Sequence, residues 1–263
     1  MTVVGLQLDI AWEDKAANFR RVRELLKPLP PLTGGLIVLP EMFATGFSMN
    51  TVLTRQGTPA ETEEFLAELA GTTGAAVMGG VVGTHHDVLH NEAVTFGPDG
   101  RCLARFAKIH PFSPAGEGLH YPAGQTVVTF EWGGFRIAPV VCYDLRFPEL
   151  FRAGLDLGAT FFTVIAQWPD RRLAHWTTLL QARAIENQAY VLGVNRAGRD
   201  TIGTYSGRSC LVNPFGIPVA DAGEGEAVLL GSADPAAVER WRQDFPAWKD
   251  RTRSSPRLNS GPA

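Results

Sequence analysis

Short apolar runs separated by polar segments recur along most of the chain. Continuous apolar runs of four to eight residues are typical of strands that are buried on both faces. Five segments are predicted to be strands: "VVGLQLDI" at 3–10, "GGLIVLP" at 34–40, "AAVMGGVVG" at 75–83, "ATFFTVIA" at 159–166 and "YVLGVN" at 190–195. Of these, 34–40 and 75–83 are the apolar runs that indicate burial on both faces. Shorter strands are indicated by "SCLVNPFG" at 209–216 and "AVLLGSAD" at 227–234.

Between these strands, apolar residues recur at helical spacing. Phe19, Val22 and Leu26 would form one apolar stripe of a first helix. A glycine marks the end of a second predicted helix, at 60–74. The predicted helices are "NFRRVRELLKPL" at 18–29, "AETEEFLAELAGTTG" at 60–74, "PELFRAGLDLG" at 148–158 and "AHWTTLLQARAIENQ" at 174–188.

Two segments are predicted to be β-hairpins. "NEAVTFGPDGRCLARFAKIH" turns at a Pro-Asp-Gly cluster, and "QTVVTFEWGGFRIAPVVC" turns at Gly133-Gly134. Hairpins together with alternating helices and buried strands predict an α/β fold, with two mixed sheets packed face to face and helices outside. No repeat or linker is visible, so we expect a single domain over 1–263 that ends in a polar tail from about 240.

The composition narrows the class of protein. The chain has 263 residues, of which 45% are hydrophobic, so it can bury a sizeable core. Its net charge of −3 does not favour a nucleic-acid or anionic-membrane surface, and no apolar run approaches the ~20 residues of a membrane helix. Three widely spaced cysteines do not form a disulfide framework. We therefore expect a cytoplasmic protein.

Cys142 stands where an apolar strand stops and helical sequence begins. A helix N-terminus would favour its thiolate, although an inert core cysteine explains the run equally well. Cys102 and Cys210 are interpreted as small core residues. A thiolate nucleophile needs a base, and His110, His120 and His175 are candidates among which the sequence does not choose.

Two other predicted strands also end on charged residues. Glu41 follows "GGLIVLP", and Lys108 follows "RCLARFA". Either residue alone would be interpreted as a solvated strand terminus. Three reactive residue types at three strand ends instead indicate a common site.

The segments "LPEMF", "KIHPF" and "VVCYDLRFPEL" resemble the glutamate, lysine and cysteine motifs of the nitrilase, or carbon–nitrogen hydrolase, superfamily, and they occur in the family's order. The resemblance continues through "HWTTLLQARAIENQAYVLGVNRAG" and "NPFGIPVA". It implies a four-layer α-β-β-α sandwich and hydrolysis without a metal or cofactor.

The same resemblance implies a role for each motif residue. Cys142 would be the nucleophile and Glu41 the general base. Lys108 and the backbone N–H of Tyr143 would stabilise the oxyanion, and Glu117 would be the family's second glutamate. The stretch "CYDLRFPEL" is similar to the branch that holds omega-amidases, which implies a small omega-amide such as 2-oxoglutaramate or 2-oxosuccinamate as substrate.

A small dicarboxylic monoamide needs a cation for its distal carboxylate. Candidate substrate-binding residues are the cations Arg171, Arg172 and Arg196, the hydroxyl donor Tyr205, the wall residues Phe43, Phe47 and Trp168, and His120. Arg146 is instead expected to tie down the helix that follows the nucleophile.

Three alternatives stay open: a deaminated glutathione amidase of the same superfamily, a Cys-His hydrolase that uses His110 or His120, and a catalytically silent binding protein. Members of the superfamily usually form dimers, and the polar tail contains the aromatic residues Trp241, Phe245 and Trp248. We therefore expect at least a homodimer, with the C-terminal segment crossing to the partner.

Overall fold

The computed structural model describes residues 1–251, which form fourteen strands and six α-helices joined by short 3₁₀ turns. The strands are β1 (Thr2–Gln7), β2 (Leu36–Val38), β3 (Ala76–His85), β4 (Val88–Phe96), β5 (Cys102–Ala107), β6 (Phe130–Trp132), β7 (Phe135–Val141), β8 (Phe161–Ala166), β9 (Tyr190–Asn195), β10 (Ala197–Arg199), β11 (Thr204–Ser206), β12 (Cys210–Val212), β13 (Pro218–Asp221) and β14 (Ala227–Ser232). The helices are α1 (Lys15–Leu26), α2 (Thr51–Thr54), α3 (Glu61–Thr73), α4 (Pro148–Asp156), α5 (Leu173–Asn187) and α6 (Pro235–Asp244).

Twelve of these strands build two six-stranded mixed sheets, and β10 and β11 form a separate ribbon. The first sheet has the order β14-β1-β2-β3-β4-β5, and the second has the order β13-β12-β9-β8-β7-β6. In the first, β1, β2 and β3 are parallel, and in the second β7, β8 and β9 are parallel. Parallel neighbours bring their carboxyl ends to one edge, which is where sites form in α/β proteins.

The layers follow from which face of each element is apolar. One buried layer lies between the sheets and includes Val38 and Met78 from the first sheet with Val141 and Ile165 from the second. Helices α1 and α3 cover the outer face of the first sheet, and α4 and α5 cover that of the second. The predicted four-layer α-β-β-α sandwich is confirmed.

Both predicted hairpins are present. β4 pairs antiparallel with β5, and β6 pairs antiparallel with β7. The second hairpin turns at Gly133 and Gly134, whose φ angles are +57° and +81°. Both residues lie in the left-handed region, which glycine adopts without steric cost. The turn predicted from the Gly133-Gly134 pair is therefore confirmed.

A helix that the sequence analysis did not predict lies near the C-terminus of the described residues. Helix α6 begins at Pro235, and the Asp234 side chain caps it by accepting from the amide of Ala236. Val238 of this helix is buried in the layer between the sheets, and Arg242 donates to the carbonyls of Asn187, Gln188 and Ala159. The described part of the tail therefore packs on its own chain. Residues 252–263 of the predicted tail lie outside the described residues.

Candidate active site

The side chains that follow three strands meet at one edge of the sandwich. Glu41 comes shortly after β2, Lys108 directly after β5 and Cys142 directly after β7. All three line one cavity. Because β2 and β5 belong to one sheet and β7 to the other, only the packing of the two sheets brings these residues together.

Glu41 and Lys108 line the floor of the cavity and form a buried ion cluster with Glu117. The Lys108 Nζ atom donates to Glu41 Oε1 over 2.8 Å and to Glu117 Oε1 and Oε2 over 3.1 and 2.8 Å. None of the three residues is more than 2% exposed. Burial alone would lower the pKa of Lys108, but the two carboxylates raise it well above its usual range. Lys108 is therefore a fixed ammonium ion.

Further hydrogen bonds hold this cluster in place. Asn91 donates its side-chain Nδ2 to Glu41 Oε1 over 2.7 Å and to Glu117 Oε1 over 2.8 Å. The amide of Gln167, at the end of β8, donates to Glu41 Oε2 over 3.0 Å, and its side-chain amide donates to the Glu41 carbonyl over 2.7 Å. The amide of Phe112 donates to Glu117 Oε2. Each carboxylate therefore has partners from both a side chain and the backbone.

Glycine allows the backbone to approach closely behind two of these residues. A Cβ atom on Gly80 of β3 would lie 2.3 Å from the Met42 nitrogen, and one on Gly124 would lie 2.3 Å from the Ala107 carbonyl oxygen. Their amides donate to the carbonyls of Pro40 and Lys108. A side chain at either position would displace the strand end that carries a charged residue of the cluster.

Cys142 adopts a left-handed backbone conformation with a φ of +47°, as does Met42 directly after Glu41 with +43°. A non-glycine residue in this region costs about 1–2 kcal/mol, and such strain clusters at functional sites. At Cys142 the backbone changes abruptly from strand to the 3₁₀ turn Cys142–Arg146. The following residue, Tyr143, also lines the cavity. Because Tyr143 lies in the first turn of this 3₁₀ segment, its backbone N–H has no acceptor within the segment.

The structure corrects the expectation that Cys142 is partly thiolate. Burial, and then the charge of Glu41, raise the pKa of its thiol well above the ordinary value of 9.0, and Lys108 offsets this only in part. Helix α4, whose N-terminus was expected to help, starts six residues later at Pro148. The thiol is therefore protonated at neutral pH, and the neighbouring Glu41 carboxylate is the candidate base for its proton.

Histidines are not placed to serve as that base. His110 Nδ1 lies 2.8 Å from the buried Asp144 Oδ1, and the His110 ring stacks on Phe147. His120 is exposed, and His175 faces Arg146 through Nδ1. None of the three lines the cavity.

The mouth of the cavity is aromatic and basic. Phe47, Phe112, Tyr143, Trp168 and Tyr205 contribute aromatic walls, and Arg146, Arg171 and Arg172 contribute guanidinium groups. Within residues 1–251, none of these three arginines has a carboxylate at ion-pair distance. Arg146 packs over Trp168 at 4.7 Å, and Arg172 packs over Phe112 at 5.2 Å.

Comparison with known proteins decides the family. The sequence model of the carbon–nitrogen hydrolase family matches residues 2–243. The chain belongs to this family. It is 41% identical to omega-amidase YafV of Yersinia enterocolitica, over 93% of this chain and 94% of that protein. It is 28% identical to a 2-oxoglutaramate amidase of Bacillus subtilis, over 95% and 96% of the two chains.

A solved structure agrees with this assignment. A CN-hydrolase superfamily protein of Xanthomonas campestris, described with an arsenic adduct in its active site, superposes with a TM-score of 0.90 at 34% identity. The match covers 98% of this hydrolase and 99% of that chain. The resemblance first indicated by three short motifs thus extends over the whole fold.

The structure places five of the eight candidate substrate-binding residues of this carbon–nitrogen hydrolase in the cavity wall and three elsewhere. Phe47, Trp168, Arg171, Arg172 and Tyr205 line the cavity.

The other three candidates do not line the cavity, which corrects the sequence-based expectation. Phe43 is buried in the core between Phe19 and Phe65, with ring centroids 6.0 and 6.1 Å away. His120 is exposed outside the cavity wall. Arg196 is fully buried and forms a 2.5 Å ion pair with Asp200, so it has no free charge for a substrate. Of the two other cysteines, Cys210 is buried as expected, but Cys102 is exposed.

Three residues of the hydrolase's site were missed by sequence reasoning. Asn91 and Gln167 join the ion cluster, and Arg146 lines the cavity although it was expected only to anchor a helix. For Gln167 a signal existed, because it directly follows the buried strand β8, as Cys142 follows β7. Asn91 lies inside a strand, and nothing in the sequence distinguishes it there.

Proposed function

We propose that this hydrolase cleaves a short omega-amide whose far end is an α-keto acid. The substrate we favour is 2-oxoglutaramate, or 2-oxosuccinamate, with the 2-oxo dicarboxylate and ammonia as products. One observation carries the proposal: a cysteine, a carboxylate and an ammonium share a cavity floor beneath arginines that have no carboxylate partner among the described residues. The names of its relatives, omega-amidase and 2-oxoglutaramate amidase, support the same substrate class.

The acylation step uses the floor. The Cys142 sulfur attacks the amide carbon while Glu41 accepts the thiol proton, so that charge never rests on an isolated thiolate. Negative charge develops on the amide oxygen, which faces the Lys108 ammonium and the backbone N–H of Tyr143. Glu41 then returns the proton to the departing nitrogen, and ammonia leaves with a thioester on Cys142.

Deacylation repeats these roles with water. Glu41 takes a proton from the water that attacks the thioester carbon, and the sulfur leaves and recovers that proton. Glu117 remains hydrogen-bonded to Lys108 and to the amide of Phe112, so we assign it the task of orienting the ammonium. Each Glu117 oxygen accepts two hydrogen bonds, whereas Glu41 Oε2 accepts one, from the amide of Gln167, so Glu117 is the poorer proton acceptor.

Arg172 is the cation that we assign to the distal carboxylate. Its guanidinium is partly shielded by burial, and the neighbouring Arg171 and Arg146 repel it, so that its pKa is lowered. An arriving carboxylate would relieve this repulsion. Arg172 is also less exposed than Arg171. Glutamine is disfavoured in this arrangement because its ammonium would enter a site that already holds Lys108 and the arginines.

Comparing kcat/KM for 2-oxoglutaramate, glutamine, deaminated glutathione and a simple nitrile by ammonia release tests the proposal. We expect 2-oxoglutaramate to be best and the nitrile to be poor, and Cys142→Ala should abolish every activity. A preference for deaminated glutathione above about tenfold, ~1.4 kcal/mol in the transition state, would assign the chain to that branch instead. Activity that survives Glu41→Ala would restore the Cys-His alternative.

We also propose that the chain acts as one domain and as a homodimer in the cytoplasm. Ile185 of α5 and Phe215, Ile217 and Phe245 are each about half exposed. The Trp241 ring packs against those of Phe215 and Phe245, with centroids 4.5 and 5.3 Å apart. Such a group of exposed apolar side chains supports a protein–protein contact. All three cysteines are free, as expected in a reducing compartment. Light scattering at micromolar concentration should give twice the mass of 28.5 kDa, and a monomer would contradict the dimer.

A further inference from the structure

Asp144 has a buried carboxyl group that neither lines the cavity nor belongs to the ion cluster. It lies two residues after Cys142, inside the 3₁₀ turn Cys142–Arg146. A polar group is buried at low cost only where hydrogen-bond partners surround it. The partners of Asp144 come from two separate segments of the chain.

Four nitrogen atoms contact the Asp144 side chain. The backbone amide of His110 donates to Oδ1 over 2.8 Å, and the His110 ring nitrogen Nδ1 lies 2.8 Å from the same oxygen. The amides of Ile109 and Val141 each donate to Oδ2 over 3.4 Å. Ile109 and His110 belong to the segment that follows β5, and Val141 is the last residue of β7. One side chain thus joins the ends of two strands.

This connection matters because the two strands belong to different sheets. β5 is an edge strand of the first sheet, and β7 belongs to the second, so no ladder of backbone hydrogen bonds sets the distance between their ends. Among the described residues, the hydrogen bonds between 108–110 and 141–144 all involve the Asp144 side chain. The His110 ring also stacks on Phe147, with centroids 3.7 Å apart and planes within 9° of parallel.

We propose that Asp144 is a positioning residue: together with His110 it fixes the Lys108 segment relative to the turn that carries the nucleophile. The inference rests on the proposed function, in which the oxyanion takes one donor from each sheet, the Lys108 Nζ and the backbone N–H of Tyr143. The distance between the two segments therefore sets the geometry of the oxyanion site. A displacement of about 1 Å in such a site costs up to about 10²-fold in rate.

The same two residue types occur in catalytic triads, but their placement here differs. In a triad the histidine lies between the aspartate and the nucleophile. The His110 ring instead faces Phe147 and is not part of the cavity wall that contains Cys142. A positioning role and a triad role therefore predict different results when His110 is replaced.

The main test is Asp144→Asn, which keeps the size of the side chain and removes one acceptor oxygen. In either orientation of the new amide, at least one backbone N–H of this contact loses its acceptor. We expect kcat for 2-oxoglutaramate to fall about 10- to 100-fold. KM should be unchanged, because Arg171 and Arg172 lie on a different segment, the 3₁₀ turn Asp170–Arg172.

The pH midpoint for alkylation of Cys142 by iodoacetamide is a second readout, and it needs no substrate. Lys108 lowers the pKa of this thiol, so displacement of Lys108 should raise the midpoint. We expect a rise of about half a pH unit in Asp144→Asn, on the order of what a ~1 Å increase in the separation of two close charges produces. Loss of a carboxylate charge by itself would lower the midpoint. The direction of the shift therefore distinguishes displacement from a change in charge.

Two variants of His110 separate its hydrogen bond from its stacking. His110→Phe keeps the ring on Phe147 and removes the side-chain bond to Asp144, and it should lower kcat by about 3- to 10-fold. His110→Asn keeps a polar atom near the position of Nδ1, and it should restore most of kcat. Because both partners act through one contact, Asp144→Asn combined with His110→Phe should lose no more than Asp144→Asn alone. His120→Phe makes the same exchange at an exposed histidine outside the cavity wall and should change none of these readouts.

The results separate this inference from the proposed function. A folded Asp144→Asn variant with unchanged kcat, or with an alkylation midpoint that is unmoved or lower, would overturn the positioning role. His110→Phe that is as inactive as Cys142→Ala would replace it with the Cys-His alternative. If Asp144→Asn does not fold, the two His110 variants decide the question. If the wild-type protein does not hydrolyse 2-oxoglutaramate, the proposed function fails, and the alkylation midpoint alone still tests the role of Asp144.

Discussion

Charged side chains form ion pairs at the floor of the cavity, whereas among residues 1–251 the arginines at its mouth form none. At the floor, Lys108 lies within 2.8 Å of carboxylate oxygens from Glu41 and Glu117, and all three are buried. At the mouth, Arg146, Arg171 and Arg172 lie near one another with no carboxylate at ion-pair distance in residues 1–251. Arg146 and Arg172 pack over aromatic rings instead.

This difference separates chemistry from recognition. A preorganised floor holds its dipoles and charges in place before the substrate arrives, so little reorganisation is needed in the transition state. Guanidinium groups without a carboxylate partner at the mouth can instead form ion pairs with an anionic ligand when it binds. Changes at the floor should therefore affect kcat for every amide, whereas changes at the mouth should affect KM for anionic amides only.

The largest effect is expected from Cys142→Ala. Loss of the nucleophile should lower kcat by at least about 10⁴-fold for charged and neutral amides alike. Cys102→Ser, at the exposed opposite end of β5, should retain wild-type activity. Steady-state ammonia release measures both variants. Substantial hydrolysis by the alanine variant would show that another residue attacks the amide.

The two carboxylates of the floor should differ in importance. Glu41→Gln removes the proposed general base and should cost about 10²–10⁴-fold in kcat. Glu117→Gln should cost less, about 10- to 100-fold, because it misplaces Lys108 rather than removing a proton acceptor. Thermal unfolding of both variants checks that the fold survives. Equal losses would mean that the two glutamates share the proton transfer.

At the mouth, Arg172→Met should lower kcat/KM for 2-oxoglutaramate by about 10- to 100-fold, the value of a lost charge-assisted hydrogen bond of roughly 1.5–3 kcal/mol. A neutral amide such as butyramide should be unaffected. The matched variant Arg171→Met, at an exposed neighbour, should lose less than tenfold. If butyramide hydrolysis falls equally in Arg172→Met, the arginine belongs to the catalytic floor.

The smallest effect concerns pH. Burial and then Glu41 raise the pKa of the Cys142 thiol, so its alkylation should reach half-maximum above pH 9.0. A pKa raised by folding favours the protonated folded state, so this stabilising contribution is complete below pH 9.0 and is lost as pH rises toward the folded value. Melting temperature between pH 7 and pH 10 should therefore fall more in the wild type than in Cys142→Ala. A flat difference between the two curves would argue against the raised pKa.

Much of the fold and part of the site could be predicted from sequence. The buried strands, both hairpins and four of the helices depend on local periodicity and turn chemistry, which act within a few residues. Glu41, Lys108 and Cys142 were identifiable because each follows an apolar strand and matches a family motif. Helix α6 was missed because its polar sequence gives a weak periodic signal and its stability comes from Val238 and Arg242 packing on distant residues.

What the sequence determined by itself was the set of reactive residues and the strands that carry them. Only the tertiary structure decided their partners, because partners are chosen by proximity across two sheets rather than along the chain. Arg172 and Arg196 are the same residue type, but packing leaves one at the cavity wall and pairs the other with Asp200. Asn91 gains its place from facing Glu41 and Glu117, which lie 50 and 26 residues away in sequence. Burial likewise raises the pKa of Cys142, and no local pattern of residues predicts how deeply this thiol is buried.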